Sequence, residues 1–400
     1  QEASLQKAFQ QGRCGTVILP KRKQREQNIF LERRIKEFGG TLKPPFNYME
    51  NQNKKFVFCT RCVMDGSDKD IVLDENGVCN HCHQAQKSLR EIEKEKHKLP
   101  QIIEQIKKEK NGVIIGLSGG VDSSLALHYL AKNGIKIYAF SMDNGYNLPL
   151  ADENVLKMVE KLKVPFYRYV INLEKFRELQ SAFLRGGIKN LEAITDHVLF
   201  AVTYEMAVKN NIKYIISGGN TATESIMPIS WGEDARDLYW IKSVYKKITG
   251  KKLTGLPMIS LWKEQYYRLI KRIKTIRLLD YYEYNRDEAI ELLKKEYGYV
   301  SYGEKHCENV WTAWFQNFYL FTKYSIDKRK AHYSSLINSG QMTREHAREL
   351  LAERPVYPEL GIEKRVMQYP KRSYQDYPNS EWIRKQVIKI YRFIPKKWKS

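Results

Sequence analysis

The heptad Ser118-Gly119-Gly120-Val121-Asp122-Ser123-Ser124 puts two glycines, three hydroxyls and a carboxylate into one turn behind the apolar run 112–117. Glycine lets a bound phosphate approach the backbone. A helix starting at the end of such a turn offers free N–H groups and the positive end of its dipole. With the serine hydroxyls added, the segment reads as an anion nest. It lacks the Gly-Lys-Ser/Thr ending of a Walker A loop, which disfavours γ-phosphate transfer of the kinase or GTPase kind.

A second chemistry sits upstream. Cys59-x2-Cys62 and Cys79-x2-Cys82 are separated by the sixteen residues Val63 to Val78. Two such knuckles can bring four thiolates around a tetrahedral Zn²⁺, and a closed four-cysteine site is structural, not catalytic. Asp74-Glu75-Asn76-Gly77 supplies the expected turn between them. His81 and His83 are alternative ligands, and a redox role for the CxxC pairs is the weaker reading. Cys14 and Cys307 stand alone and read as inert thiols.

The surrounding pattern says what holds these groups. Apolar runs at 112–117, 135–142, 165–171 and 212–217 read as strands. Between them 124–133, 152–163, 173–184 and 194–210 have helical spacing. Such alternation predicts an α/β fold, a doubly wound parallel sheet with helices on both faces. The right-handed crossover rule and a strand order 3-2-1-4 bring the turn 118–123 and the turn Ser217-Gly218-Gly219-Asn220 to one crevice, where ligands bind in such sheets. Asp143 ends the second strand. Asn220 and Glu224 follow the fourth and are candidates for phosphate or Mg²⁺, with helix capping by Thr221 or Thr223 as the competing role. Phe140 and Met142 either flank adenine or belong to the core.

The chain divides into a basic N-terminal segment 1–55 with no assigned role, a four-cysteine unit 56–85, a helical connector 86–111, a phosphate-binding domain 112–240 and a mostly helical region 241–400. A short helix is expected near 27–37. The formal net charge is +22, carried partly by Lys21-Arg22-Lys23, Lys246-Lys247, Lys251-Lys252 and Lys396-Lys397. That excess draws anions without choosing among them. No apolar run is long enough to cross a bilayer, and 1–50 lacks a signal-peptide core, so the cytoplasm is expected.

The heptad resembles the PP-loop of the N-type ATP pyrophosphatases, which split ATP between the α- and β-phosphates and pass AMP to an acceptor oxygen. The resemblance implies ATP with Mg²⁺ as cofactors and Ser118, Gly119, Gly120, Asp122, Ser123 and Ser124 as the pyrophosphate cradle. Asp122 would act through Mg²⁺ or by holding the loop, and Asp143 would lie by the nucleotide.

A narrower likeness follows from the cysteine knuckles placed directly before that loop. Tyr302-Gly303-x-Lys305-His306-x-Glu308, Trp314-Phe315-Gln316, Asp327-Lys328-Arg329 and Ser339-Gly340-Gln341-Met342-Thr343-Arg344 add to it. Together, over about 56–365, the chain resembles the N-acetyl sugar amidotransferases of surface-polysaccharide and lipopolysaccharide synthesis. The implied reaction turns a sugar acetamido group into an acetamidino group. ATP would adenylate the amide oxygen, and ammonia would displace AMP from the O-adenyl imidate. Members work with a HisH-like glutaminase and a HisF-like ammonia-channelling barrel, so separate partner subunits are expected, with an acetamido sugar or nucleotide sugar as substrate. Lys305, Glu308, Lys328 and Arg329 are the substrate-binding candidates. Lys305 and His306, with Asp122 and Ser123, are the catalytic ones, His306 or Glu308 positioning the acceptor or moving a proton. Tyr302 and Trp314 either stack on a ligand or sit in the core.

Two other readings compete. A tRNA thiolase-like enzyme shares the loop and suits the charge, but residues 112–225 contain no cysteine for sulfur transfer. A nucleotide-binding scaffold without turnover would also keep both motifs, because a fold by itself does not prove activity. Nucleic acid is not the expected partner.

Overall fold

The structure, a computed structural model, describes residues 57–302 and 307–393. The expected helix at 27–37, Cys14, Lys21-Arg22-Lys23, Lys396-Lys397, and the candidates Lys305 and His306 lie outside the described residues.

The cysteine unit is built on turns. Asp74 Oδ1 accepts the N–H groups of Asn76 and Val78, and Gly77 closes the turn onto Asp74 O at 3.0 Å. Gly77 adopts φ +74°, where a side chain would be strained. Cys79 then starts helix α1 (Asn80–Glu93), followed by α2 (Leu99–Lys107), whose first turn takes Pro100. Proline costs nothing there, since its missing N–H has no helical partner.

Five parallel strands form one sheet in the order β3-β2-β1-β4-β5. They are β1 (Val113–Gly116), β2 (Ile137–Asp143), β3 (Phe166–Val170), β4 (Tyr214–Ser217) and β5 (Lys274–Arg277). The expected order 3-2-1-4 is present, extended by one strand. β5 belongs to the sheet although it lies in the region 241–400, which therefore adds a strand to its helices. Its side chains alternate between half-buried and exposed, as an edge strand allows, and no apolar run announces it.

Successive strand residues face opposite cores. Ile114, Phe140 and Ile215 enter one core with α5 (Leu173–Arg185), α6 (Ala193–Lys209) and α8 (Leu238–Thr249). Val113, Ile115, Ala139 and Ile216 enter the other with α3 (Val121–Lys132), α4 (Pro149–Lys161) and α10 (Arg286–Tyr297). This is the burial on both faces that makes such strands read as continuous apolar runs. Phe140 is fully buried against Gly116, which assigns it to the core.

Between these lie the single turn α7 (Thr221–Glu224) and α9 (Leu261–Leu269). The C-terminal part contains α11 (Val310–Trp314), which runs into a π-helical stretch (Phe315–Lys323), then α12 (Lys328–Asn338), α13 (Arg344–Ala352), α14 (Glu363–Gln368) and α15 (Glu381–Phe393). Trp314 is fully buried, with its indole N–H on Glu363 at 2.9 Å, so it is a core residue. Among the described residues no helix is long and apolar enough to cross a membrane.

Candidate functional site

The phosphate loop follows β1 and ends at the start of α3. Gly120 is the N-cap and has no side chain to cap with, which leaves the first-turn amides to other acceptors. Gly119 adopts φ +83°, and a Cβ there would lie 2.3 Å from the Ala151 carbonyl oxygen. The serines organise the bend. Ser118 Oγ accepts from Gly120 N–H at 3.2 Å, and Ser123 Oγ donates to Gly120 O at 3.2 Å. The two hydroxyls lie 3.4 Å apart.

The turn after β4 meets this loop, as the strand order requires. A Cβ on Gly218 would lie 2.9 Å from the backbone nitrogen and Cα of Ser123. Here the candidate residues separate. Asn220 is almost fully buried and caps α7, its Oδ1 accepting from the Thr223 N–H at 2.9 Å and the Thr223 hydroxyl at 3.0 Å. Its oxygen therefore serves the chain, while its Nδ2 is buried with no hydrogen-bond partner and keeps a donor for a phosphate. Neither threonine is the cap: Thr221 donates its N–H to Asp280 at 2.7 Å. Glu224 stays at the crevice, one carboxylate oxygen 3.0 Å from where a Gly219 Cβ would be.

Asp143 ends β2 at the same sheet edge, but it is buried and turned inward. It accepts from Gly145 N–H at 2.8 Å and faces Arg168, which also pairs with Asp152 at 2.9 Å. Burial raises the Asp152 carboxyl. Asp143, Arg168 and Asp152 form one ion network at the end of β2.

The C-terminal segment covers the phosphate loop. Leu148 N–H donates to Glu308 O and Val310 N–H to Tyr146 O, both at 2.9 Å, docking 308–310 along the loop that follows β2. A Cβ on Gly120 would lie 3.1 Å from the Tyr302 hydroxyl and 3.6 Å from a Glu308 carboxylate oxygen. Tyr302 therefore belongs to the site. Burial, reinforced by Glu308, pushes its phenol well above the usual range. Sequence reasoning missed Tyr284, whose hydroxyl donates to Asp122. Burial and the Asp122 charge likewise raise its phenol. It sits in no motif and nothing in its surroundings marks it.

Glu224 also opens onto a cavity of about 260 Å³ lined by Met227, Arg286, Gln316, Lys328 and His332, among others. Lys328 Nζ contacts Met227 Sδ at 2.8 Å. Burial lowers its ammonium to about 8, although Asp196 and Glu224 pull the other way. Burial, with the neighbouring Asp196 charge, raises Glu192 to about 8. The Arg329 guanidinium pairs with Asp327 through Nε at 3.1 Å and Nη2 at 2.8 Å, and donates to Leu350 O and Glu353 O. Those bonds make it a clamp on α13, and the same residue lines the cavity beside Lys328.

The four cysteines are buried, and their sulfurs all lie within 4.8 Å of one another. Cys59 Sγ is 3.9 Å from Cys82 Sγ, and Cys62 Sγ is 3.8 Å from Cys79 Sγ. A tetrahedron with Zn–S bonds of about 2.3 Å has edges of about 3.8 Å, so the donor set fits zinc. N–H groups of Cys62, Met64 and Cys79 point at the sulfurs. His81 and His83 pair with Asp68 and Asp74, which removes them as ligands. Four thiolates leave no open position for catalysis. Among the described residues no other His, Cys and carboxylate cluster of this kind occurs.

Comparison with known proteins gives two family matches. Residues 308–369 match the family described as LPS biosynthesis protein WbpG-like, C-terminal domain, and residues 91–273 match NAD synthase. The tRNA-specific 2-thiouridylase MnmA 2 of Fusobacterium nucleatum is 24% identical over 46% of this chain and 50% of its own length. MnmA of Clostridioides difficile is 26% identical over 46% and 50%. The chain thus spans about half the length of these curated relatives. Among solved structures, an NH3-dependent NAD synthetase from Campylobacter jejuni is similar at 19% identity and a TM-score of 0.27, covering 52% of this chain and 93% of that one.

Proposed function

We propose that this chain, a PP-loop ATP-pyrophosphatase-type domain joined to a WbpG-like C-terminal domain, is an ATP-dependent amidotransferase of surface-polysaccharide synthesis that turns a sugar acetamido group into an acetamidino group. The observation that carries the reading is the meeting of the two parts at one point. Tyr302 and Glu308, ahead of and at the start of the WbpG-like segment, lie over Gly120 of the phosphate loop.

An amide carbonyl is a weak electrophile and its oxygen a poor leaving group. Attack of that oxygen on the α-phosphorus of ATP expels pyrophosphate and leaves an O-adenyl imidate. Ammonia then adds to the carbon, loses a proton, and AMP departs with the oxygen. The loop amides and the hydroxyls of Ser118, Ser123 and Ser124 hold the departing pyrophosphate, stabilising charge where it develops. Mg²⁺ with ATP would neutralise phosphate charge near Asp122. Glu308 stands where it can accept the ammonia proton. Lys328, with Glu224 across the cavity, binds the polar acceptor. A HisH-like glutaminase and a HisF-like subunit supply the ammonia.

The test is incubation with ATP, Mg²⁺, ammonium and a panel of acetamido sugars. AMP and pyrophosphate are expected, with loss of one oxygen and gain of one NH in the sugar. ADP as the sole nucleotide product overturns the reading. The similarity to 2-thiouridylases favours a second reading, sulfur transfer to RNA, which predicts co-purifying nucleic acid released by salt.

A further inference from the structure

We propose that Gln341 and Arg344 are positioning residues that tie the phosphate loop to the four-cysteine unit, holding Asp122 in place through Tyr284. The proposal rests on ATP binding at that loop.

The contacts form a continuous path. The Tyr284 hydroxyl donates to Asp122. The backbone around Tyr284 is held in turn by one side-chain amide. Gln341 Nε2 donates to Tyr284 O at 3.2 Å, and Gln341 Oε1 accepts from Arg286 N–H at 2.9 Å. Both ends of the amide are used on the two sides of one short segment, so the pair fixes its position as well as its distance. Gln341 is itself anchored by its own N–H on Leu336 O at 2.9 Å, in the turn between α12 and α13.

Three residues further on, Arg344 reaches the other way. Its guanidinium donates to Cys62 O at 3.0 Å and Cys59 O at 2.9 Å, the carbonyls of the first knuckle. Asn338, at the end of α12, donates to Cys82 Sγ at 3.3 Å, and Gln86 of α1 donates to Asn338 O at 2.7 Å. The turn 338–344 thus grips the sulfur cage at one end and the Asp122 partner at the other. This gives the cage a role beyond local stability: it is the fixed point from which the loop carboxylate is positioned. Sites of this kind need such a supporting shell to hold geometry within a fraction of an ångström.

The experiment is a double-mutant cycle on the ATP dissociation constant, measured by calorimetry on the full chain, with zinc content and melting temperature followed in parallel. Gln341→Ala and Tyr284→Phe are each expected to weaken ATP about tenfold, and the double variant also about tenfold instead of about a hundredfold, because both cut one path. Gln341→Glu keeps the acceptor for Arg286 and loses the donor to Tyr284. It serves where the alanine variant does not fold, with a loss of severalfold expected. Arg344→Ala is expected to weaken ATP with zinc retained at one per chain. Additive losses, or unchanged ATP affinity in folded Gln341 variants while Asp122→Asn weakens it, overturn this inference alone. Wild-type protein that binds no ATP overturns the functional reading with it.

Discussion

Asn309 donates its side-chain amide to Asn144 Oδ1 at 3.0 Å and to Asn147 Oδ1 at 3.1 Å, while its own Oδ1 caps α11 through Thr312 N–H at 3.2 Å. One side chain therefore starts the C-terminal helix and staples it to the loop after β2, with Glu308 immediately before it. Asn309→Ala is expected to lower stability by about 1–2 kcal/mol through the lost cap. It should also slow pyrophosphate release about tenfold, because Glu308 loses its anchorage. Asn309→Ser keeps a cap and loses the amide donors. It should recover most of the melting temperature and little of the rate.

Gly119→Ala tests the loop backbone. The new Cβ would meet the Ala151 carbonyl at 2.3 Å at a residue with φ +83°. Backbone on both sides must shift, so pyrophosphate release is expected to fall by at least two orders of magnitude, with a stability loss of roughly 1–3 kcal/mol. Pyrophosphate assay and thermal melting check both. Ser123→Ala, which adds no bulk but loses the bond to Gly120 O, should slow release with zinc content unchanged and a stability loss of only about 1 kcal/mol.

These two motifs were legible in the sequence because their meaning is local. A glycine–serine bend between strand and helix, and two cysteine pairs at fixed spacing, specify their geometry over a few residues. The first four strands in the chain were legible for the same reason, being runs dominated by apolar and aromatic residues. β5 was not, since Lys274-Thr275-Ile276-Arg277 is an edge strand with polar alternate positions. The bonds of Arg329 to Leu350 O and Glu353 O were not legible, since its charge suggests only an anion and the two carbonyls meet it through the fold. Tyr284 and Asn309 act across long sequence separations, which no spacing rule reaches.

Glu192 predicts a pH dependence of stability. Its Oε2 accepts from Thr312 at 3.1 Å, but Oε1 is buried without a hydrogen-bond partner, and burial raises the carboxyl to about 8. The folded chain therefore binds more protons than the unfolded one between about pH 4.5 and 8, and stability from this group falls as pH rises through that window. Glu192→Gln should remove the loss. Its melting temperature should match wild type at pH 5 and exceed it at pH 8, by an amount equivalent to roughly 1–3 kcal/mol. A pH series of melting curves reads it directly.

Lys328 predicts a pH limb in turnover. Burial lowers its ammonium to about 8 in the free protein. The charged form binds the acceptor in the proposed site, so kcat/KM for the sugar should fall as pH rises past about 8, since that ratio reports the free enzyme. Arginine does not titrate in this range. Lys328→Arg should therefore lower the maximum and lose the limb, whereas Lys328→Met should lose most turnover at every pH.

Cys307 separates the two chemistries available to this loop. It is half-buried and precedes Glu308, whose carboxylate stands beside Gly120, and among the described residues it is the one cysteine outside the cage. Sulfur transfer needs a thiolate that attacks and carries sulfur, and serine cannot replace it in that role. Amide activation needs no thiol. Cys307→Ser should therefore keep AMP and pyrophosphate formation within about twofold of wild type with ammonium and the acceptor sugar, as a substitution that touches no reacting atom. Loss of turnover in Cys307→Ser, with melting temperature and zinc content held, would move the assignment to thiolation, and labelling of Cys307 by a thiol-directed alkylator would then be blocked by the acceptor.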